Sequence, residues 1–142
     1  MLTVLTKAKL TKLKTRGQWI AEAQAAFNGF IRARDYGKLC ISSGKPMDWT
    51  GNQVDAGHYR SRGSAPHLRF DEHNCHAQSK HDNRYLSGNV TGYRIGLFVR
   101  IGAEALDALE ADQTPRKYSI DDLKVIKAAY TLKTKKLKAA QA

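Results

Sequence analysis

Cysteine and proline are scarce in this chain, which has two cysteines and three prolines among its 142 residues. Two cysteines are too few for a disulfide framework, and a reducing cytoplasm would keep both as thiols. No stretch approaches the roughly 20 apolar residues that span a bilayer. The opening MLTVLTKAKL also lacks the apolar core of a signal peptide. The sequence therefore predicts a cytoplasmic protein with no membrane association.

Acidic residues are missing from both ends of the chain. Residues 1–16 hold five basic side chains and residues 123–142 hold six lysines, whereas the remainder carries 13 basic and 13 acidic residues. The whole net charge of +11 therefore lies in the two terminal segments. A neutral body with cationic ends is typical of a protein that binds a polyanion such as nucleic acid. A lysine-rich surface that only keeps the protein in solution is the alternative.

The length and the hydrophobic content of 42% suffice for one core. We predict a basic N-terminal arm over residues 1–16 and one mainly helical α+β domain over residues 17–142. Within that domain, residues 38–89 form a ββα core and residues 90–142 form the C-terminal helices.

Three segments repeat apolar residues with the period of a helix. The first covers residues 19–31 and ends at Gly37. The second covers residues 93–109, and two glycines inside it predict either one bent helix or two short ones. The third is long and basic and begins at Ser119, where a Ser-x-x-Asp pattern marks a helix start.

Shorter elements are predicted between the first two helices. The apolar runs LCI (39–41) and QVDA (53–56) are separated by glycines and a proline, which indicates two short strands joined as a hairpin. A basic loop over residues 60–70 and a short helix over about 78–86 follow.

His58 stands where the second predicted strand ends, and Asn74 and Asn83 follow downstream. A hairpin, a loop and a helix carrying these residues are typical of a ββα-metal nuclease finger. Phosphodiester hydrolysis needs a base that deprotonates water, and the pKa of histidine suits that task. We therefore predict His58 as general base and Asn74 as the residue that braces the loop and orients His58. Asp55 and Asn83 are predicted to be ligands of Mg²⁺ or Mn²⁺.

Each of these residues also has a purely structural interpretation. His58 could be a hydrogen-bonded histidine without a catalytic role, Asn74 could cap a turn, and Asn83 could start a helix. Basic side chains in the loop, the short helix and the last helix are predicted to contact DNA phosphates. These are Arg60, Arg62, Arg69, Lys80, Arg84, Lys124, Lys127 and Lys133.

Several motifs together carry a family resemblance. The runs DAGHYRSRGSAPHLRFDEHNCHAQ, HDNRYLSGN, YRIGLFVRIG and RKYSIDDLKVIKAAY resemble the NinG/Rap family of lambdoid phage recombination proteins, over most of the chain. The resemblance implies an HNH-type, metal-dependent endonuclease that cuts branched DNA such as D-loops and Holliday junctions. It places the HNH positions on His58, Asn74 and Asn83. Many HNH enzymes carry a metal-binding aspartate directly before the histidine, where this chain has Gly57.

The resemblance also implies a structural zinc site built from two Cys-x2-Cys pairs. The corresponding positions here are Cys40, Ser43, Ser79 and Asp82. Serine is a poor zinc ligand, so bound zinc is not expected. His76 matches the family pattern, but chemistry assigns it no role.

The implied partner is branched DNA inside a bacterial host cell. Other phage or host recombination proteins are further candidate partners. A homodimer would allow two symmetric cuts in a four-way junction. The alternative function is a non-catalytic protein that binds branched DNA on a degenerate HNH fold.

Overall fold

A computed structural model describes residues 13–142 of the chain. Three long helices and a small sheet make up this part: helix α1 (Arg16–Arg34), strand β1 (Val54–His58), strand β2 (Cys75–Ser79), helix α2 (Val90–Ala111) and helix α3 (Ile120–Gln141). A 3₁₀ turn (Pro66–Leu68) and a π-helical turn (His81–Tyr85) flank β2. The predicted mixed, mainly helical fold is confirmed, whereas most of the predicted N-terminal arm lies outside the described residues.

The strand pairing differs from the predicted hairpin. Residues 41–43 form a turn, and β1 pairs antiparallel with β2, with Val54 opposite Ser79 and His58 opposite Cys75. The predicted strand over residues 39–41 is therefore wrong, although the Ile41 amide does donate to the Ala77 carbonyl. The short helix predicted from residue 78 begins later, because its first two residues belong to β2.

Helices α1 and α3 lie side by side and run in the same direction. Arg16 donates to the Tyr118 carbonyl at one end of the pair, and Gln141 donates to the Ala33 carbonyl at the other. Phe27 fills the space between these helices and the sheet, with its ring 4.9 Å from that of Tyr130. The predicted start of α3 is confirmed, since the Ser119 hydroxyl accepts from the Asp122 amide and the Asp122 carboxylate accepts from the Ser119 amide.

Helix α2 packs on a second cluster that contains Ile41, Leu68 and Tyr93. Its glycines have two different functions. At Gly96, a side chain would collide with the carbonyl of Ile41, so this glycine lets the 41–43 turn lie directly on the helix. At Gly102 the backbone adopts a φ of 86°, which divides α2 with a kink and confirms the predicted bend. Across residues 13–142, no helix combines the length and the apolar character that a bilayer span requires.

Candidate active site

His58 is the last residue of β1, and its ring lies near Phe27, with 6.5 Å between the ring centroids. The Nε2 atom is 3.0 Å from the carbonyl oxygen of Arg69. A carbonyl can only accept, so Nε2 carries the proton, and the lone pair on Nδ1 faces the thiol of buried Cys75, 3.9 Å away. Burial lowers the pKa of His58 to about 4, assisted by the positive charge of Arg62. The imidazole is therefore neutral near pH 7, and its low pKa makes it a weaker base than an ordinary histidine.

Asn74 ties together the loop that holds His58. It is fully buried, and its Oδ1 accepts from the Arg60 amide at 2.9 Å. Its Nδ2 donates to the carbonyl oxygens of Arg60 at 3.0 Å and Leu68 at 3.2 Å. Leu68 directly precedes Arg69, whose carbonyl receives the imidazole hydrogen bond. Asn74 thus acts on His58 through the backbone and does not reach the site itself.

Asp55 and Asn83 are brought together although 28 residues separate them. The Nδ2 of Asn83 donates to Oδ2 of Asp55 at 2.9 Å, and the Nε of Arg84 lies 3.3 Å from the same oxygen. The Asp55 carboxylate and the Asn83 amide therefore provide oxygen atoms on adjacent elements. Such atoms are the ligands that hard divalent cations prefer.

These residues line an open cleft of about 420 Å³, which we call the central cleft. Three arginines face one carboxylate there, so the cleft favours an anionic ligand. Its charged and polar lining comprises Asn28, Arg32, Asp55, His58, Ser61, Arg62, Asn83 and Arg84. Sequence reasoning missed Asn28 and Arg32, although their i, i+4 spacing beside the apolar face of α1 was a usable signal.

Gly57 cannot be replaced by the aspartate that many HNH enzymes carry before the histidine. A side chain at Gly57 would collide with the amide of Gln78, which is completely buried on the neighbouring strand. Gln78 in turn donates to Ser42 and to the carbonyl of Gly88. Packing between the strands therefore explains the glycine, and Asp55 is the carboxylate of this strand that lines the central cleft.

The loop arginines predicted to bind phosphate differ in their surroundings. Arg60 donates to the carbonyl oxygens of Leu109 and Asp112, which anchors the loop to the end of α2. Arg69 donates to Gln24 on α1. Arg62 is exposed at the edge of the central cleft, as is Arg84. Of these arginines, Arg62 and Arg84 are therefore the two placed to contact a phosphate in the central cleft.

The lysines predicted to bind DNA lie along α3, away from the central cleft. Lys124 and Lys127 stand over the ring of Trp19, and Lys127 also pairs with Glu22 at 2.7 Å. Lys133 lies over Tyr130 and pairs with Glu72 at 3.3 Å. These contacts hold α3 against its neighbours and partly neutralise its charge. Lys80, in contrast, lies beside the cleft at the end of β2.

The four positions where the resemblance implies zinc ligands do meet in space, but they bond to one another. Cys40 accepts from the Ser79 amide at 3.3 Å, and the Ser79 hydroxyl accepts from the Asp82 amide at 3.2 Å. The Asp82 carboxylate accepts from the neighbouring Ser42 at 2.7 Å. Burial raises the pKa of Cys40, but hydrogen bonds from Ser42, Ser43 and the Ser79 amide outweigh it and lower the pKa to about 7. Within residues 13–142, no group of three or more His, Cys, Asp or Glu side chains could hold a metal ion. This donor set therefore does not fit a tetrahedral zinc site.

His76 has a structural position that the sequence did not reveal. It is buried on β2, where its Nδ1 lies 3.5 Å from the Tyr93 hydroxyl. That hydroxyl donates to the Gly57 carbonyl at 2.6 Å. Burial lowers the pKa of His76 to about 3, so the ring stays neutral inside the core.

Fold and site together define a small helical protein in which a two-stranded sheet carries a polar, arginine-rich cleft. Residues 4–140 match the family model described as Bacteriophage Lambda NinG protein. Relatives called Protein ninG include those of Enterobacteria phage H19B, 46% identical over 132 residues, and of Escherichia phage lambda and Salmonella phage P22, each 46% identical over 134 residues. The chain belongs to the NinG family.

Each of these alignments covers 93% of this chain and 64% of the relative. The chain thus spans slightly less than two thirds of the length of these relatives. No solved structure matches the chain.

Proposed function

We propose that this protein is a metal-dependent endonuclease that cuts branched DNA during phage recombination. The observation that carries the proposal is the position of His58. The Arg69 carbonyl fixes its Nε2 atom, and the His58 side chain lines the same cleft as Asp55, Asn83 and the arginines. A neutral, oriented imidazole beside a cationic cleft supplies a base and a phosphate-binding surface in one place.

Each residue takes one task in this proposal. His58 accepts a proton from the water that attacks phosphorus, and for this its Nδ1 has to exchange the 3.9 Å contact with the Cys75 thiol for that water. Arg62 and Arg84 bind oxygens of the scissile phosphate and of its neighbour. Asp55 and Asn83 would hold Mg²⁺ or Mn²⁺, which, when bound, stabilises negative charge on the phosphate and the leaving oxygen.

The oxygen ligands that Asp55 and Asn83 offer fit Mg²⁺ better than zinc. Magnesium commonly uses one or two protein carboxylates together with waters and substrate phosphates. Asp55 supplies one such carboxylate, and the side-chain oxygen of Asn83 belongs to an amide whose nitrogen already bonds to Asp55. The open cleft leaves space beside them for the phosphate.

Selectivity for branches would come from the shape and deformability of the DNA. A homodimer could present two central clefts to a four-way junction. Interaction with other recombination proteins would add to this activity and is not needed for the cleavage step.

Cleavage of labelled four-way junction, D-loop and linear duplex, with Mg²⁺ and with chelator, tests the proposal. We expect metal-dependent cutting of the branched substrates, and its loss in His58→Ala and Asp55→Asn while binding persists. His73→Ala, which changes an exposed histidine outside the cleft, is the matched control and should cut normally. If the wild type binds branched DNA but cuts with neither Mg²⁺ nor Mn²⁺, the protein is instead a non-catalytic branched-DNA binder.

A further inference from the structure

We propose that Tyr36 and Trp49 form a stacking site for an unpaired nucleotide of the DNA, directly beside the central cleft. The inference deepens the proposed function and rests on DNA being the ligand. It names the part of a D-loop or fork that distinguishes it from plain duplex, namely a base without a partner.

The two rings form a pair on the surface of the protein. Tyr36 follows the end of α1, and Trp49 lies in the connection that precedes β1. Their ring centroids are 5.2 Å apart with an angle of 58° between the planes. Tyr36 is 66% exposed and Trp49 is half-buried, and neither ring belongs to the hydrophobic clusters of the core. The pair therefore offers aromatic surface to a ligand.

Charge around the pair favours a nucleic-acid strand. The rings line a groove of about 670 Å³, which we call the aromatic groove. It contains four basic side chains and one acidic one, and the acidic one, Asp55, already pairs with Arg84. The basic side chains are Arg32, Lys80, Arg84 and Lys138. Aromatic rings in a cationic groove are the combination that binds single strands, because every unpaired base offers a face for stacking.

The aromatic groove continues into the central cleft. Arg32, Asp55 and Arg84 line both. A strand that passes the proposed scissile site could therefore place a neighbouring nucleotide on the rings while its phosphates remain among the same arginines. Bases within a duplex are already stacked and cannot do so. A D-loop or a fork, in which pairing ends at the branch, supplies an unpaired base that can stack on the rings.

A simpler explanation is that the rings only attach the 44–53 connection to the end of α1. The two explanations predict different results. Loss of a packing contact would lower thermal stability and weaken binding of all DNA equally, whereas loss of a stacking site would weaken only the binding of DNA with unpaired bases.

Fluorescence anisotropy in chelator, where no cleavage occurs, separates them. The probes are a fork with a single-stranded arm and a fully paired duplex of equal length. Trp49→Ala and Tyr36→Ala should each raise the Kd for the fork about 5- to 150-fold, the range expected for one stacked base. The Kd for duplex should change less than about twofold. Trp49→Phe and Tyr36→Phe should retain most of the affinity, since they keep an aromatic ring.

Phe98→Ala is the matched control, because Phe98 is 54% exposed on α2 and lines neither the cleft nor the groove. It should leave both affinities unchanged. Equal losses for fork and duplex, or no loss for the fork, would overturn the proposal. A loss confined to forks with a single-stranded RNA arm would overturn the assignment to DNA.

A second measurement does not depend on the folding of an alanine variant. 2-Aminopurine placed at the first unpaired position should lose fluorescence on binding the wild-type protein, and Tyr36→Phe should preserve that quenching. Unchanged fluorescence at saturation would refute stacking. These assays measure binding without cleavage. If the protein stacks the base but never cuts DNA, only the nuclease proposal is refuted. If it cuts branched DNA and Trp49→Ala leaves fork binding unchanged, only the stacking site is refuted.

Discussion

Acidification from pH 7 to pH 5 is expected to lower the free energy of unfolding by about 4 kcal/mol, from two histidines alone. Burial lowers the pKa of His58 to about 4 and that of His76 to about 3 in the folded protein. In the unfolded chain both return to about 6.5. Between these values the unfolded state binds protons that the folded state does not, so stability is present above pH 6.5 and is lost as the pH falls.

The magnitude follows from the linkage between pKa and stability. Each histidine contributes a slope that approaches ~1.4 kcal/mol per pH unit below 6.5, and integration from pH 7 to pH 5 gives about 2 kcal/mol for each. The lowered pKa of Cys40, about 7, adds stability that is present at alkaline pH and is already mostly lost when the pH has fallen to 7. Carboxylates with a lowered pKa matter mainly below their unfolded values of about 4. The pH range from 7 to 5 therefore isolates the two histidines.

Urea unfolding followed by circular dichroism at both pH values measures this effect. His76→Gln should reduce the pH dependence to about 2 kcal/mol, whereas His81→Gln, at an exposed position, should leave it unchanged. A wild-type difference below about 1 kcal/mol, or a pH dependence that His76→Gln leaves intact, would show that these rings are protonated in the folded protein.

Four other substitutions test the packing and the helix cap. Gly96→Ala should lower the free energy of unfolding by more than ~2 kcal/mol, because the new side chain meets the Ile41 carbonyl. Gly29→Ala, in open space on α1, should raise it by about 0.5–1 kcal/mol. Urea unfolding of both variants measures these changes. Ser119→Ala should cost about 1 kcal/mol by removing the cap of α3, and loss of less than half of that would contradict the capping role. Tyr93→Phe should cost about 1 kcal/mol, since it removes the buried hydrogen bond from the hydroxyl to the Gly57 carbonyl; equal thermal midpoints would refute this.

Local signals explain which parts of the fold were predictable. The capping pair at Ser119, the apolar face of α1 and the glycine bend in α2 each depend on residues within a few positions of one another. Strand pairing does not, because β1 meets β2 across the loop that Asn74 ties together. Periodicity identified the apolar run at residues 53–56, but it carries no information about which segment lies alongside.

The candidate site likewise combines features that the sequence predicts with features that depend on distant contacts. His58, Asp55 and Asn83 could be selected by residue type and order, and the structure brings them to one cleft. The position of Arg60 could not be predicted, since its carbonyl partners lie 49 and 52 residues away. The pair of Tyr36 and Trp49 likewise forms only when the connection before β1 folds back onto the end of α1.

The parallel arrangement of α1 and α3 fixes where the two ends of the described chain emerge. Both helices begin at the Tyr118 end, so residue 13 and residue 142 lie at opposite ends of the pair. Helix α3 has 22 residues and is therefore about 33 Å long. Fluorophores attached at residues 13 and 142 would accordingly lie about the length of α3 apart.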